Sequence, residues 1–499
     1  MRIHLKGRTE KWIKTAIIAT INFLLWVIPS NVPYLVAQNR DILLGRYGLT
    51  HLTWAIFLIP VSIMWLYLVW SNENNKKKRQ FQVIALTLSI IIPIVLVDLL
   101  MRLAQPKQYI RHKSYYHLAP NKVNHGTIHD VPENAFSYPR MRPGYPDIEY
   151  TLTTDKRGFR NKTDLEEYDI VALGDSFAEG SNVTDDDVWA AKLAQKSNLT
   201  VYNLGMAGSH PGIYLETLRK FGTNLSPKIV LCMVYEGNDF RTSNYKREDT
   251  FGHHVSNYFK SSPLRLSLER LMINRLSLAK SKNSEETVAS GNNHVDSDKP
   301  DTNSIGTTIS ALSWLPVAVP DGPDAKYYTF TVKNLLAHYV TEGKFLRSKG
   351  CKQTLASLRQ IKKTCNENNI PLFIVYAPDK SHVLLPLIQH NVPSENLRAF
   401  MELKENNLPP RDQLMDTVMA RLDVQESAIK KFCRHESIEF ISLTEPLREG
   451  IAQGQQLYFT YDDHWTPIGH EVVANTVNSY ISKFPVTKTK PQIETDNPG

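Results

Sequence analysis

Cysteine is scarce, with four residues in a chain of 499, so a disulfide framework is excluded as the source of stability. Cys232 lies inside the apolar run "KIVLCMVY" and reads as a packing residue. Cys351 and Cys365 flank a predicted helix, whose rise of about 1.5 Å per residue would hold its ends too far apart to bridge. A single-signed charge field is also missing. The net charge is +8, but the basic residues are not gathered on one stretch of predicted globular surface. Much of the excess sits beside long apolar stretches near the N-terminus, which argues against nucleic acid and for membrane topology. Metal-ligand spacing is absent as well. The nearest approach is Asp462, Asp463, His464 and His470, with no further ligand cluster beside them, so neither metal nor cofactor is expected.

Charge is missing altogether from Leu52 to Trp70, "LTWAIFLIPVSIMWLYLVW", a tract long enough to cross a bilayer as a helix and edged with Trp and Tyr. Phe81 to Leu103 is comparable, interrupted by Pro93 and by Asp98, which Arg102 is placed to pair near the interface. Thr15 to Ser30 is shorter and follows a basic segment; it reads as a first spanning helix or a signal sequence, and the lack of a small-residue cleavage site favours the helix. Arg2, Lys6, Arg8, Lys11 and Lys14, with the "KKKR" at Lys76 to Arg79, should stay in the cytoplasm. They outweigh Arg102, Lys107, Arg111 and Lys113, which follow the third tract. Residues 1–106 are therefore expected to be a multi-pass anchor in the cell membrane (15–30, 52–70, 81–103), with the lipid bilayer as partner. Residues 107–499 become an extracytoplasmic domain.

That domain alternates short apolar runs with amphipathic stretches. The runs are "YDIVALG" (Tyr168 to Gly174), "LTVYNLG" (Leu199 to Gly205), "KIVLCMVY" (Lys228 to Tyr235), "PLFIVYAP" (Pro371 to Pro378) and "IEFISL" (Ile438 to Leu443). Strands that read as buried on both faces, alternating with helices, predict an α/β fold with a parallel sheet covered by helices. Such sheets bind ligands at the carboxyl ends of their strands. Ser176 follows the first run by two residues. A serine hydroxyl placed there needs a base to take its proton and fixed donors for the developing oxyanion. "NLGMAGSHP" offers a backbone N–H at Gly205, "YEGNDF" the Asn238 amide, and "YFTYDDHWTPIGH" puts Asp462 two residues before His464, a spacing at which a turn can join carboxylate to imidazole.

"GDSF" with Ser176, "NLGMAG" with Gly205, "GND" with Asn238 and "DDHW" with Asp462 and His464 stand in the order of the four blocks of the SGNH or GDSL hydrolases, which the chain resembles over most of Tyr168 to Phe484. The resemblance implies a flavodoxin-like three-layer sandwich and a serine ester hydrolase or acyltransferase. It further implies an oxyanion hole from the Ser176 and Gly205 N–H groups with the Asn238 side chain, and no metal. Many members space the final carboxylate and histidine by three residues, which here would select Tyr461. The "D-x-H-W" form resembles the branch of bacterial polysaccharide O-acetyltransferases and their membrane-anchored relatives. The "G-x-S-x-G" elbow of α/β-hydrolases is absent.

Plainer readings exist for each residue. Ser176 could cap a helix, Gly205 could serve its turn, Asn238 and Asp239 could be turn residues, and His464 could be structural beside Trp465. Their coincidence in order is what those readings leave unexplained. "TLTTDKRGFRN" (Thr151 to Asn161) reads as a structural lead-in. In "APDKSHVLLP" Lys380 or Ser381 either touches substrate or belongs to a solvated loop. An insertion from about Arg241 to Lys344 carries a long polar segment, reads as a mobile loop, and holds His253 and His254 as surface residues. The expectation is an anchored serine esterase or O-acyltransferase acting on acyl, foremost acetyl, esters of a cell-surface or exported glycan. The alternative is a catalytically silent glycan- or partner-binding protein; no protein partner can be named.

Overall fold

The computed structural model describes residues 2–27, 49–70, 75–104, 109–112, 114–130, 144–241, 314–319, 325–390, 392, 394–402, 404–405 and 407–484. The chain divides into two compact units, one holding residues 1–106 and the other the greater part of 107–499. In the first, helices α1 (Arg2–Val27), α2 (Leu49–Val69) and α3 (Lys76–Ala104) hold the third apolar tract whole, the second up to Val69 and the first up to Val27, residues 28–30 lying outside the described residues. Asn22 Nδ2 on α1 donates to Ser62 Oγ on α2 at 2.7 Å, and Trp12 packs edge-on against Trp70 at 5.0 Å. Among the described residues one stretch, Lys77–Met101, is long and apolar enough to cross a membrane, judged by length and composition. Leu58–Val69 is a shorter apolar helical run. The Arg102 side chain expected to pair with Asp98 lies outside the described residues.

The second unit opens with two antiparallel pairs, β1 (Tyr109–Arg111) with β2 (Tyr116–Leu118) and β3 (Val123–Ile128) with β4 (Ile148–Thr153). Then come β5 (Ile170–Leu173), helices α4 (Ser176–Glu179) and α5 (Trp189–Ser197), β6 (Val201–Asn203), α6 (Pro211–Thr217) and β7 (Ile229–Tyr235). A third pair, β8 (Trp314–Val319) with β9 (Lys326–Thr331), precedes β10 (Leu372–Ala377) and β11 (Glu439–Ser442). Strands β11-β10-β7-β5-β6 form one sheet, parallel throughout. Every residue of β5, β7 and β10 is buried. Continuous apolar runs such as "IVLCMVY" require this, because both faces must be covered.

Side chains alternate between those faces. Val171, Val230, Cys232 and Ile374 join Tyr214 of α6, Leu358 and Ile361 of the helix Lys349–Glu367, and Ile429 of the helix Val424–His435 in one apolar cluster. On the other face Phe373 meets Phe484, which follows the helix Pro467–Ile481, at 4.8 Å. The sheet is thus the middle of three layers, as the alternating pattern predicted. The chain starts in mid-sheet at β5, steps outward to β6, then returns past β5 to β7. Counted along the chain, the five strands lie in the order 2-1-3-4-5, whose switch point falls between β5 and β7. The four cysteines are buried free thiols.

The insertion departs from expectation. Its polar segment, with His253 and His254, lies outside the described residues, but its C-terminal part is folded as β8, β9 and the helices Val332–Ala337 and Glu342–Arg347. Buried Val317, Val319, Tyr328, Phe330 and Leu335 supply the reason: the apolar content that the polar run lacks resumes at Trp314.

Candidate active site

The carboxyl ends of β5 and β7 meet at the switch point, and Ser176 and Asn238 stand there. Gly174 closes β5 with φ of +156°; a Cβ on it would fall 2.5 Å from that of Ala178. Asp175 then leaves helical geometry and caps α4, its Oδ1 accepting the Phe177 N–H at 3.0 Å. The cap is therefore Asp175, and Ser176 is the first helical residue. From 168 to 180 every residue is buried except Ser176, so the fold brings this one hydroxyl to the surface of a closed turn. Its own N–H lies in the first turn of α4, where N–H groups have no intrahelical acceptor.

Asn238, in the turn after β7, donates from Nδ2 to Asp175 Oδ2 at 2.8 Å. A carboxamide nitrogen carries two hydrogens, so one remains. Asp239 beside it is a turn residue: it accepts from Tyr214 Oη at 2.8 Å and from the Tyr235 N–H at 2.8 Å.

Gly205 requires a correction. Its N–H does not stand open as an oxyanion donor; it donates to Asn203 Oδ1 at 2.8 Å, because the side chain of the residue closing β6 folds back over the turn. The glycine is needed for close approach. A Cβ would fall 2.3 Å from the Glu179 nitrogen and 2.6 Å from the Ala178 carbonyl carbon. Gly205→Ala is accordingly expected to destabilise the second unit by about 1–3 kcal/mol and to push α4 outward; thermal melts of the variant beside wild type check it.

Asp462 and His464 meet as the spacing predicted. Asp462 Oδ1 accepts from His464 Nδ1–H at 2.5 Å and from the His464 backbone N–H at 2.8 Å. The imidazole lies against Phe177, the neighbour of Ser176, with centroids 4.8 Å apart, and Phe177 is backed by Trp465 at 4.7 Å. Nε2 of His464 is buried with no hydrogen-bond partner among the described residues, so the bond to Ser176 Oγ is not made here. Such bonds commonly tighten only with substrate in place. Burial pulls the imidazole down, but the Asp462 carboxylate outweighs it, helped by Asp175 and Asp463, and His464 is pushed up to about 9. Burial works against Asp462 too; His464 overcomes it and holds the carboxyl well below its ordinary range. His470 takes no part: its Nδ1 accepts the Trp189 N–H at 3.3 Å, and among the described residues no group of three ligands could hold a metal.

Lys380 and Ser381 require the second correction. Both are 1% exposed and neither reaches a substrate surface. Lys380 Nζ points under the loop that carries Asp462, and Ser381 Oγ donates to Asp379 and bonds His338 Nε2 at 3.0 Å. An apolar helix following "APDK" draws the two polar groups inward with it. The segment Thr151 to Asn161 is structural as expected: Arg160 reaches the Val183 carbonyl at 2.6 Å and Asp185 at 2.9 Å, and the Asn161 amide accepts from the Asn203 N–H at 2.8 Å.

Sequence reasoning missed a buried polar network behind the site. Glu236 Oε2 accepts from the Asp379 N–H at 2.8 Å and from His382 Nδ1 at 2.9 Å, and His382 Nε2 reaches Asp423 at 2.9 Å. Burial lowers His382, yet Glu236 and Asp423 prevail and push it up to about 10. Asn334 Nδ2 bridges Asp379 at 2.5 Å and Asp463 at 3.1 Å. Glu236 and Asp463 stand inside the "YEGNDF" and "DDHW" segments and the others belong to no motif; the one further signal was the run "PDKSH", directly after a buried strand.

No protein-family model and no curated protein matches this chain. Among solved structures it is similar to a GDSL-like lipase from Bacteroides thetaiotaomicron VPI-5482, at 11% identity and a TM-score of 0.26, over 63% of this chain and 87% of that one. A member of the lipolytic protein G-D-S-L family from Veillonella parvula DSM 2008 aligns at 8% identity and a TM-score of 0.28, over 63% and 98%. A catalytic mutant of an acetylxylan esterase from Geobacillus stearothermophilus aligns at 11% and 0.27, over 66% and 99%.

Proposed function

We propose that the protein is a serine ester hydrolase or O-acyltransferase. The observation that carries this is the Asp462–His464 bond of 2.5 Å packed, through Phe177, against the turn that exposes Ser176. Ser176 Oγ attacks the acyl carbonyl while His464 Nε2 takes its proton. Asp462 holds Nδ1–H and stabilises the imidazolium. The Ser176 N–H and the remaining Asn238 hydrogen face the oxyanion. His464 then returns the proton to the departing alcohol, and water or a sugar hydroxyl takes the acyl group from the serine.

Fluorophosphonate labelling of the detergent-solubilised chain tests this. Labelling of wild type that is lost in both Ser176→Ala and His464→Ala supports it, while a folded wild type that stays unlabelled favours the silent binding protein. The finer reading is an outward-facing enzyme on a membrane anchor, acting on acetyl esters of a surface or exported glycan. It is supported by the apolar tracts, the "KKKR" segment and the resemblance of "DDHW" to the O-acetyltransferase branch. A panel of O-acetylated and bare glycans should change acetylation only when Ser176 is present; no Ser176-dependent change counts against it.

A further inference from the structure

Residues 459–464, between the bridged Tyr458 and Trp465, have no regular secondary structure; inside the loop the Phe459 N–H donates to the His464 carbonyl at 3.1 Å and the His464 N–H to Asp462, and several of the other backbone groups find partners elsewhere. Two buried side chains of opposite charge supply them. From below, Lys380 Nζ donates to the carbonyls of Phe459 at 3.2 Å, Thr460 at 3.2 Å and Asp462 at 2.9 Å. An ammonium has three hydrogens, and these carbonyls use them all. From the other side, the 6%-exposed Asp130 accepts the N–H groups of Thr460 at 2.7 Å and Tyr461 at 2.9 Å. Thr329 on β9 adds its N–H to the Thr460 carbonyl at 2.9 Å.

A buried ammonium is costly to keep, and Lys380 has Asp463 Oδ1 only at 3.6 Å to compensate it. Packing alone would be served as well by an apolar side chain. The third carbonyl shows what the charge achieves, since it belongs to Asp462, whose carboxylate fixes the imidazole. We propose that Lys380, opposed by Asp130, is a positioning residue that sets the Asp462–His464 pair against Ser176. This deepens the catalytic reading and rests on it for its rate consequence. The bond to the Asp462 carbonyl lies at the residue that orients the base, and misplacement by about 1 Å costs about 10²-fold in rate.

The test uses the full chain in detergent with ¹⁵N-labelled histidine, His464→Gln providing the assignment. In wild type the low-field Nδ1 proton of His464 should be visible and its ring should titrate near 9. In Lys380→Met the low-field proton should be lost and the titration should fall, because Asp462 no longer holds the ring. Asp175, another carboxylate acting on His464, is held by the Asn238 amide and the Phe177 N–H and does not depend on Lys380. Removal of a positive charge alone would move the titration upward, so a rise overturns the proposal, as does an unchanged signal. Lys380→Arg, which keeps charge and donors, should retain the proton. If Lys380→Met does not fold, Asp130→Asn loosens the opposite grip and carries the same readout. Activity is a separate arm: kcat should fall about 10²-fold in Lys380→Met with KM unchanged. A wild type without turnover would sink the catalytic reading while leaving the resonance test of positioning intact.

Discussion

Ser176→Ala is expected to lower kcat for ester turnover by about 10⁴–10⁶-fold, and His464→Ala to cost about as much, with the double variant no worse than either. The near-equality follows from the residues acting as a unit. A hydroxyl without its base is a weak nucleophile, and a base without the hydroxyl has nothing to activate. What survives comes from the oxyanion donors and substrate binding. Steady-state hydrolysis of an activated acetate ester, measured for the four proteins in parallel, checks the pattern; losses that multiply in the double variant would show that the two residues act independently.

The second large effect concerns pH. His464 must be neutral to accept the serine proton, and the fold pushes it up to about 9, so kcat/KM should rise about tenfold per pH unit through neutrality and level off near that value. Asp462→Asn should lose about 10⁴-fold in kcat, because the amide cannot hold the required tautomer. Its rising limb should shift to lower pH, since the carboxylate that raised the imidazole is gone. Stability follows the same group with a definite sign. Its folded value lies above the unfolded value of about 6.5, so the stabilisation is fully present below about 6.5 and is lost as pH rises through about 9. Melting temperatures of wild type should fall across that window, and those of His464→Gln should fall less.

The parallel sheet was legible because β5, β7 and β10 are uninterrupted apolar runs, with amphipathic stretches such as Lys349–Glu367 and Val424–His435 alternating with the strands along the chain. Ser176, Asn238 and the Asp462–His464 pair were legible for a different reason: each sits within a few residues of a strand end or turn, so short-range spacing sufficed. What the sequence hid is long-range. Asn203 lies two residues from Gly205, yet whether its side chain turns back to take that N–H depends on how the turn packs against α4 and on Asn161, more than forty positions upstream in the chain. Lys380 looked like a loop residue because a lysine is usually solvated; nothing local reveals the three carbonyls from a loop 79 to 82 residues away. Asp130 is further still, with contacts 330 and 331 residues along the chain. The folded C-terminal part of the insertion was overlooked because the polar segment dominated the composition of the window.

That separation has a consequence for biosynthesis. The serine-bearing turn emerges early, whereas the histidine comes 288 positions later, after Asp130, Thr329 and Lys380 have all been made. Until the closing segment arrives and is seized from both sides, a growing chain displays an ordinary, unreactive hydroxyl. On the proposed catalytic reading, reactivity toward an acyl ester would therefore be switched on only once the histidine segment has been made, and a chain truncated before it would leave esters untouched.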